Sequence, residues 1–271
     1  MLFQTWKSRH DLPRFFAACR TSFLLANPDF AAPIWDDADN RRFVQCHFPW
    51  FLPLFDAYPQ EICRADAVRY FFLYALGGVY ADLGVLCLRP LDDIVDLPNV
   101  VLGRMGADPT FEHSLPNAVM ASPPRHSFWL LVIAMLIDAH QQTGARPEYL
   151  TGPVVLKAAF DLMAMHPEQA EHLIAALAAN LPPALRPGPN SPVCALAPAD
   201  WFPFNWADPI HQLYRQSLRA QGSEPSVAEC RALFPQASLV TFWSRSWEPE
   251  TRHAHPASRI DEMLPHRSQP S

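Results

Sequence analysis

Lysine is almost missing from this chain: Lys7 and Lys157 are its only two, and arginine supplies the rest of the 21 basic residues. With 27 acids interspersed and a net charge of −6, there is no basic stripe to track a phosphate backbone, which excludes nucleic acid as a partner. The same bias, rich in arginine and proline, points to a GC-rich bacterial genome. The six cysteines, at 19, 46, 63, 87, 194 and 230, form no CxxC and no short metal-ligand spacing. They are expected as reduced, mostly buried thiols of a cytoplasmic protein. No apolar run reaches membrane length: Phe128 to Ile137 would span about 15 Å as a helix, against about 30 Å of hydrocarbon. A buried helix is expected there, not a transmembrane span. The opening MLFQTWKSRH lacks the apolar core of a secretory signal, which leaves peripheral association at the inner face of the membrane as the expected membrane contact.

What is present is 49% hydrophobic content in 271 residues, enough for one large core. A single domain is expected over 1–247, followed by a polar, proline-bearing, flexible tail over 248–271. The densest stretch runs from Arg64 to Pro90, RADAVRYFFLYALGGVYADLGVLCLRP. Between Ala65 and Leu76, the residues Val68, Phe71, Phe72, Ala75 and Leu76 recur at helical spacing. Gly77 and Gly78 end that helix, because positive φ costs glycine little. Val79 to Ala81 then reads as a short strand that delivers Asp82 at its carboxyl end, the edge where open α/β sheets hold ligands.

These residues resemble glycosyltransferase family 32, which includes yeast Golgi and sphingolipid mannosyltransferases and bacterial polysaccharide-building enzymes, with the glucosylating clostridial toxins as distant cousins. The family pattern is R-A-D-x-x-R-Y followed by G-G-x-Y-x-D-x-D. Arg64-Ala65-Asp66, Arg69-Tyr70, Gly77-Gly78, Tyr80 and Asp82 supply it here, while Gly84 stands where the second aspartate of the DXD motif belongs. The resemblance implies an α/β, GT-A-like nucleotide-diphospho-sugar transferase fold, a central mixed sheet flanked by helices. It also implies donor contacts from Asp66, Arg69, Tyr80 and Asp82, with Asp82 the catalytic carboxylate. Asp66 would accept from sugar or ribose hydroxyls, and Arg69 would donate to the sugar or the diphosphate. On an anonymous helix the same two residues would make only a surface ion pair of little worth.

A departing nucleoside diphosphate must be met by positive charge. In this family Mn²⁺ or Mg²⁺ serves, held by the second DXD acid and a residue near the carboxyl terminus. Gly84 removes the first ligand, and Thr241-Phe242 stand where the family commonly has histidine. Metal binding, with Asp82 as its ligand, is therefore expected to be weakened. Arg245, in the S-R-S-W run, is expected to take over part of the cation's work; the alternative is a solvated surface arginine.

Along the rest of the chain, Leu2 to Trp6 reads as a first strand similar to the family's H-Q-T-W, with Phe3 in the His position. By that resemblance Trp6 stacks on the nucleotide base; otherwise it belongs to the core. The strand begins so near Met1 that the true start is expected a few residues upstream. Asp11 is read as the cap of a helix to Leu25, Phe30 to Trp35 as a second strand, and Phe48 to Tyr58 as too rich in proline and aromatics for a regular surface helix. Asn117 resembles the family asparagine that reaches the donor sugar, or is a turn residue. Ser127 introduces the apolar helix over 128–142. Thr151-Gly152-Pro153 matches a family T-G-P and starts a helix, and Pro167 to Asn180 forms another. Leu181 to Pro198 reads as loop. Asp200 to Trp206 forms either a sugar platform or a core plug. Helices follow from Pro209 to Gln221 and from Ser226, whose capping box with Glu229 fixes its start. Leu239 to Trp247 begins as a strand and ends in Ser246-Trp247, matched to the family's S-W at the donor diphosphate.

The function expected is transfer of a hexose from a UDP- or GDP-linked donor, with retention, to a saccharide or lipid-linked acceptor in bacterial surface polysaccharide or glycolipid synthesis. No residue stands out as a general base, which fits a departing phosphate that assists. Two alternatives differ in kind: a degenerate protein that holds a sugar nucleotide or glycan without chemistry, and an effector that glycosylates a host protein.

Overall fold

Leu2, Phe3 and Gln4 are all buried, as befits a strand with neighbours on both sides, and together with Thr5 they make β1 (Leu2–Thr5). The computed structural model describes residues 1–9, 11–92, 98–142, 144–188, 191–204, 208–221 and 224–243, the side chains of 219–221 excepted. After β1 come α1 (Arg14–Ala26), β2 (Ile34–Trp35), α2 (Asp37–His47), α3 (Leu52–Ala57), α4 (Glu61–Leu76), β3 (Gly78–Ala81), β4 (Val85–Cys87), β5 (Val100–Gly103) and β6 (Val119–Ser122). The second half holds α5 (Ser127–Ala139), α6 (Pro147–Leu150), α7 (Pro153–Met165), α8 (Pro167–Ala178), a 3₁₀ turn (Pro183–Leu185), β7 (Val193–Leu196), α9 (Pro198–Trp201), α10 (Pro209–Gln221), α11 (Val227–Leu233) and β8 (Leu239–Thr241).

Among the described residues six strands form one mixed sheet in the order β2-β1-β3-β6-β5-β7, and β4 pairs with β8 in a separate ribbon. β6 runs antiparallel to both of its neighbours, while the other pairings in the sheet are parallel. The central mixed sheet flanked by helices is the architecture expected. It has one consequence for function: the carboxyl ends of β1 and β3 and the amino end of β6 share an edge, which brings Thr5, Asp82 and Asn117 together.

The helix–turn–strand centre is built as its residues require. Gly77 closes α4 at φ 63°, and a Cβ there would lie 2.5 Å from the Pro124 nitrogen. Gly78, at φ 103°, passes so close to Met1 that a Cβ would meet its carbonyl oxygen at 2.6 Å. Both positions therefore demand glycine. Behind them, Phe72 stacks on Phe3 at 4.9 Å, and α5 is buried almost all round, Phe128 through Ile133 being fully covered.

Several boundaries differ from expectation for local reasons. α1 starts at Arg14 with Pro13 as its N-cap residue, and the Asp11 side chain caps nothing; the Asp11 carbonyl instead accepts from Trp6 Nε1 at 2.8 Å. β2 is confined to Ile34–Trp35, because Pro33 has no N–H to give a ladder. The 48–58 segment does contain a helix, α3, with a proline tolerated in its first turn and Phe55 buried beneath it. α5 stops at Ala139. The 181–198 segment is not simply loop: its prolines flank a four-residue strand, β7, that pairs along β5 at the edge of the sheet. Cys19, Cys63, Cys87 and Cys230 are buried, Cys194 is half-buried, Cys46 is exposed, and all six are free. Burial pushes the Cys63, Cys87 and Cys230 thiols up to about 11. Among the described residues no helix is long and apolar enough to cross a membrane. The proposed tail over 248–271 lies outside the described residues.

Candidate active site

Asp66 and Arg69 sit three apart on α4 and so share a face. That face is turned inward: Asp66 is 6% exposed and Arg69 3%. Arg69 Nη2 lies 2.6 Å from Asp66 Oδ1, and Nη1 lies 3.3 Å from Asp82 Oδ1. The same guanidinium donates from Nη1 to the Asn117 carbonyl at 2.7 Å and from Nε to the Ala65 carbonyl at 3.3 Å. Its carbon stands 4.4 Å from the centre of the Tyr80 ring, a cation over an aromatic face.

Around this pair the polar groups are closed into a network. The Tyr80 hydroxyl donates to Asp82 Oδ1 at 2.9 Å and lies 3.3 Å from Thr5 Oγ1. Asn117 Nδ2 donates to Asp66 Oδ1 at 3.2 Å and to the Tyr70 hydroxyl at 3.1 Å, and Tyr70 in turn donates to the Thr151 carbonyl at 3.0 Å. Such a network fixes each carboxylate in place before any ligand arrives.

One guanidinium serves two carboxylates, so neither is fully compensated. Burial raises the Asp66 carboxyl to about 7; Arg69 opposes this and the Asp82 charge reinforces it. Asp82 is raised as well, by burial first, with Arg69 and the Tyr80 hydrogen bond opposing. Its side chain nevertheless keeps 42% of its exposure, because it borders an open cavity of about 670 Å³. The Arg69 and Tyr80 values are both pushed upward, Tyr80 chiefly by burial.

Trp6, Asp66, Arg69, Tyr80, Asp82 and Asn117 all line that cavity, so the structure gathers six of the expected site residues. Trp6 packs at 5.0 Å against Phe16 and remains half-buried, its ring forming part of the wall. Pro153 of the T-G-P run also lines it. Trp201, Phe202 and Phe204 are buried in the core, which resolves the aromatic-proline turn toward a core plug. Arg245, Ser246 and Trp247, like Asn205 and Trp206, lie outside the described residues.

Besides Trp6, a second indole lines the cavity, that of Trp243. Its backbone is left-handed at φ 50°, an uncommon state for a bulky residue. Arg215 holds it there, donating from Nη2 to the Trp243 carbonyl at 3.4 Å and from Nε to the Phe242 carbonyl at 3.3 Å. The ring rests 5.5 Å from Phe202. Lys7, Phe16, Phe111, His113 and Glu148 are among the lining residues that sequence reasoning missed. No motif marks them, since loops and helix ends distant in sequence deliver them.

The metal expectation can be tested against the donor atoms present. Gly84 offers no side chain, the Thr241 hydroxyl accepts from the Trp243 N–H at 3.5 Å, and no group of three or more His, Cys, Asp or Glu is gathered to hold an ion among the described residues. Asp82 alone does not make a protein-held metal centre.

Residues 13–101 match the family described as glycosyltransferase sugar-binding region containing DXD motif. The chain is 38% identical over 136 residues to inositol phosphoceramide mannosyltransferase 2 of Schizosaccharomyces pombe, covering 50% of this chain and 37% of that protein. It is 37% identical over 136 residues to mannosyl phosphorylinositol ceramide synthase CSH1 of Saccharomyces cerevisiae, covering 50% and 34%. To the initiation-specific alpha-1,6-mannosyltransferase of Candida albicans it is 27% identical over 109 residues, covering 38% and 28%. The chain thus spans about a third of the length of these curated relatives. Among solved structures, PaToxG glycosyltransferase aligns with a TM-score of 0.46 at 13% identity over 68% of this chain and 75% of that one. An active-site mutant of LgtC aligns with a TM-score of 0.34 at 13% identity over 99% and 97%.

Proposed function

Taking residues 13–101 as a DXD-type glycosyltransferase sugar-binding region, we propose that the protein transfers a hexose, mannose in first place, from a nucleotide-diphosphate sugar to a lipid-linked or saccharide acceptor. The observation that carries this reading is the Asp66–Arg69–Asp82 array lining one cavity, with Asp66 and Arg69 buried and Asp82 open to it, and with Trp6 and Trp243 in its walls. Fixed carboxylates accept hydrogen bonds from sugar hydroxyls, and flat rings suit a base or a pyranose face. The names of the relatives favour mannose and a ceramide-linked acceptor; those relatives are fungal and lend no support to a bacterial polysaccharide role.

In the proposed reaction the bond from the sugar C1 to the phosphate oxygen breaks as one to the acceptor oxygen forms on the same face. The acceptor proton passes to the departing phosphate. Retention is taken from the family resemblance. The cavity lining carries Asp37, Glu61, Asp66, Asp82 and Glu148 against Lys7 and Arg69. A diphosphate entering it needs further positive charge, and Arg245 is the proposed source. The test is hydrolysis and transfer assayed with GDP-mannose and UDP-glucose, with and without Mn²⁺; turnover of either donor supports the reading.

Gly84 favours a second reading, a sugar-nucleotide-binding protein without transfer. Tight donor binding with no turnover under any metal condition would select it.

A further inference from the structure

Glu148 lines the cavity from α6, and one of its carboxylate oxygens, the buried Oε2, has no hydrogen-bond partner among the described residues. A buried carboxylate oxygen left unpaired is unfavourable and calls for an explanation. Nearby polar groups are already engaged elsewhere: the Tyr149 hydroxyl donates to Glu112 at 2.6 Å, and His113 Nε2 lies 3.4 Å from the same oxygen.

The position of Glu148 ties it to the array described above. A Cβ built on Gly152 would stand 2.8 Å from the Glu148 Cα and 3.3 Å from Asp66 Oδ2. The absence of a side chain at Gly152 therefore lets α6 come up against Asp66. The Glu148 charge is also one of the causes that raise the Asp66 carboxyl. A ligand that donates hydrogen bonds to both carboxylates would ease that repulsion.

We propose that Glu148 is a sugar-hydroxyl acceptor: its carboxylate, on the helix that Gly152 lets up against Asp66, turns its unpaired oxygen to a hydroxyl of the hexose in the cavity. The inference rests on the transferase reading. The shared chemistry is a sugar hydroxyl, which either the donor hexose or the acceptor sugar can supply.

The test compares wild type with Glu148→Gln and Glu148→Ala, by calorimetric binding of GDP and GDP-mannose and by transfer kinetics to octyl α-mannoside. Because Oε2 has no partner to lose among the described residues, Tm should be unchanged or higher, so loss of fold is not expected. Both variants should bind GDP within twofold of wild type. If the hydroxyl is the donor's, the Kd for GDP-mannose rises about tenfold or more. If it is the acceptor's, GDP-mannose binding stays constant and the acceptor KM rises by that factor. Unchanged values in both arms, or GDP binding weakened as much as GDP-mannose binding, would overturn the proposal. A wild-type protein that neither binds nor turns over any sugar nucleotide would instead refute the transferase reading beneath it.

Discussion

Arg69 is the shared counter-ion of two carboxylates, with Nη2 2.6 Å from Asp66 and Nη1 3.3 Å from Asp82. Only a planar, forked cation can reach both while also donating to the Asn117 and Ala65 carbonyls. Arg69→Met leaves two recessed acids uncompensated and is expected to cost about 3–5 kcal/mol in denaturant unfolding. Arg69→Lys should recover part of that stability yet leave donor turnover down by about a hundredfold or more, because a point charge cannot bridge the pair.

Asp82 borders the cavity and carries no packing burden, so Asp82→Asn should fold with a Tm close to wild type. Donor turnover should fall by about 10²–10³, the scale for losing one group that stabilises charge in the transition state. Circular dichroism melts and hydrolysis rates on the same preparation check both halves.

The raised Asp66 carboxyl gives stability a sign with pH. Its folded value, about 7, lies above the ordinary 3.8, so the folded state holds the proton more tightly than the unfolded chain. The stabilisation is complete below about pH 4 and is lost as pH rises toward 7, at most about 1.4 kcal/mol per pH unit. Asp66→Asn should remove this component of the slope, as read from urea midpoints at pH 4.5, 5.5, 6.5 and 7.5.

Trp243 holds a left-handed backbone that glycine adopts freely. Trp243→Gly should therefore match or exceed Trp243→Ala in stability, by about 1 kcal/mol. Both variants should weaken sugar-nucleotide binding by about tenfold if the indole contacts the ligand. Equal donor affinity in wild type and Trp243→Ala would remove the indole from the site.

Gly84 and Thr241 leave Asp82 without partner ligands among the described residues, so donor hydrolysis should survive EDTA with less than a tenfold loss. Arg245→Ala should then abolish it. Complete dependence on added Mn²⁺, with Arg245→Ala neutral, would contradict the proposed substitution of arginine for metal.

The centre of this site was legible because its parts are local. Asp66 and Arg69 are fixed by helical spacing, Gly77 and Gly78 by positive φ, and Asp82 by its place at a strand end. Trp6 and Asn117 came through the family resemblance, and sheet topology explains why they converge with Asp82. Glu148, His113 and Trp243 were illegible because nothing in their immediate sequence signals the cavity. β7 was hidden by the prolines around it, and α3 by aromatic content that reflects burial of Phe51 and Phe55 more than any lack of helix.

The central claim is that the Asp66–Arg69–Asp82 cavity holds an activated sugar, and calorimetric titration of GDP-mannose and UDP-glucose into wild type and Asp82→Ala tests it most directly. The account predicts saturable binding of at least one of the two by wild type, weakened about tenfold or more by the substitution. Absence of binding to wild type, or equal affinity in both proteins, would contradict it.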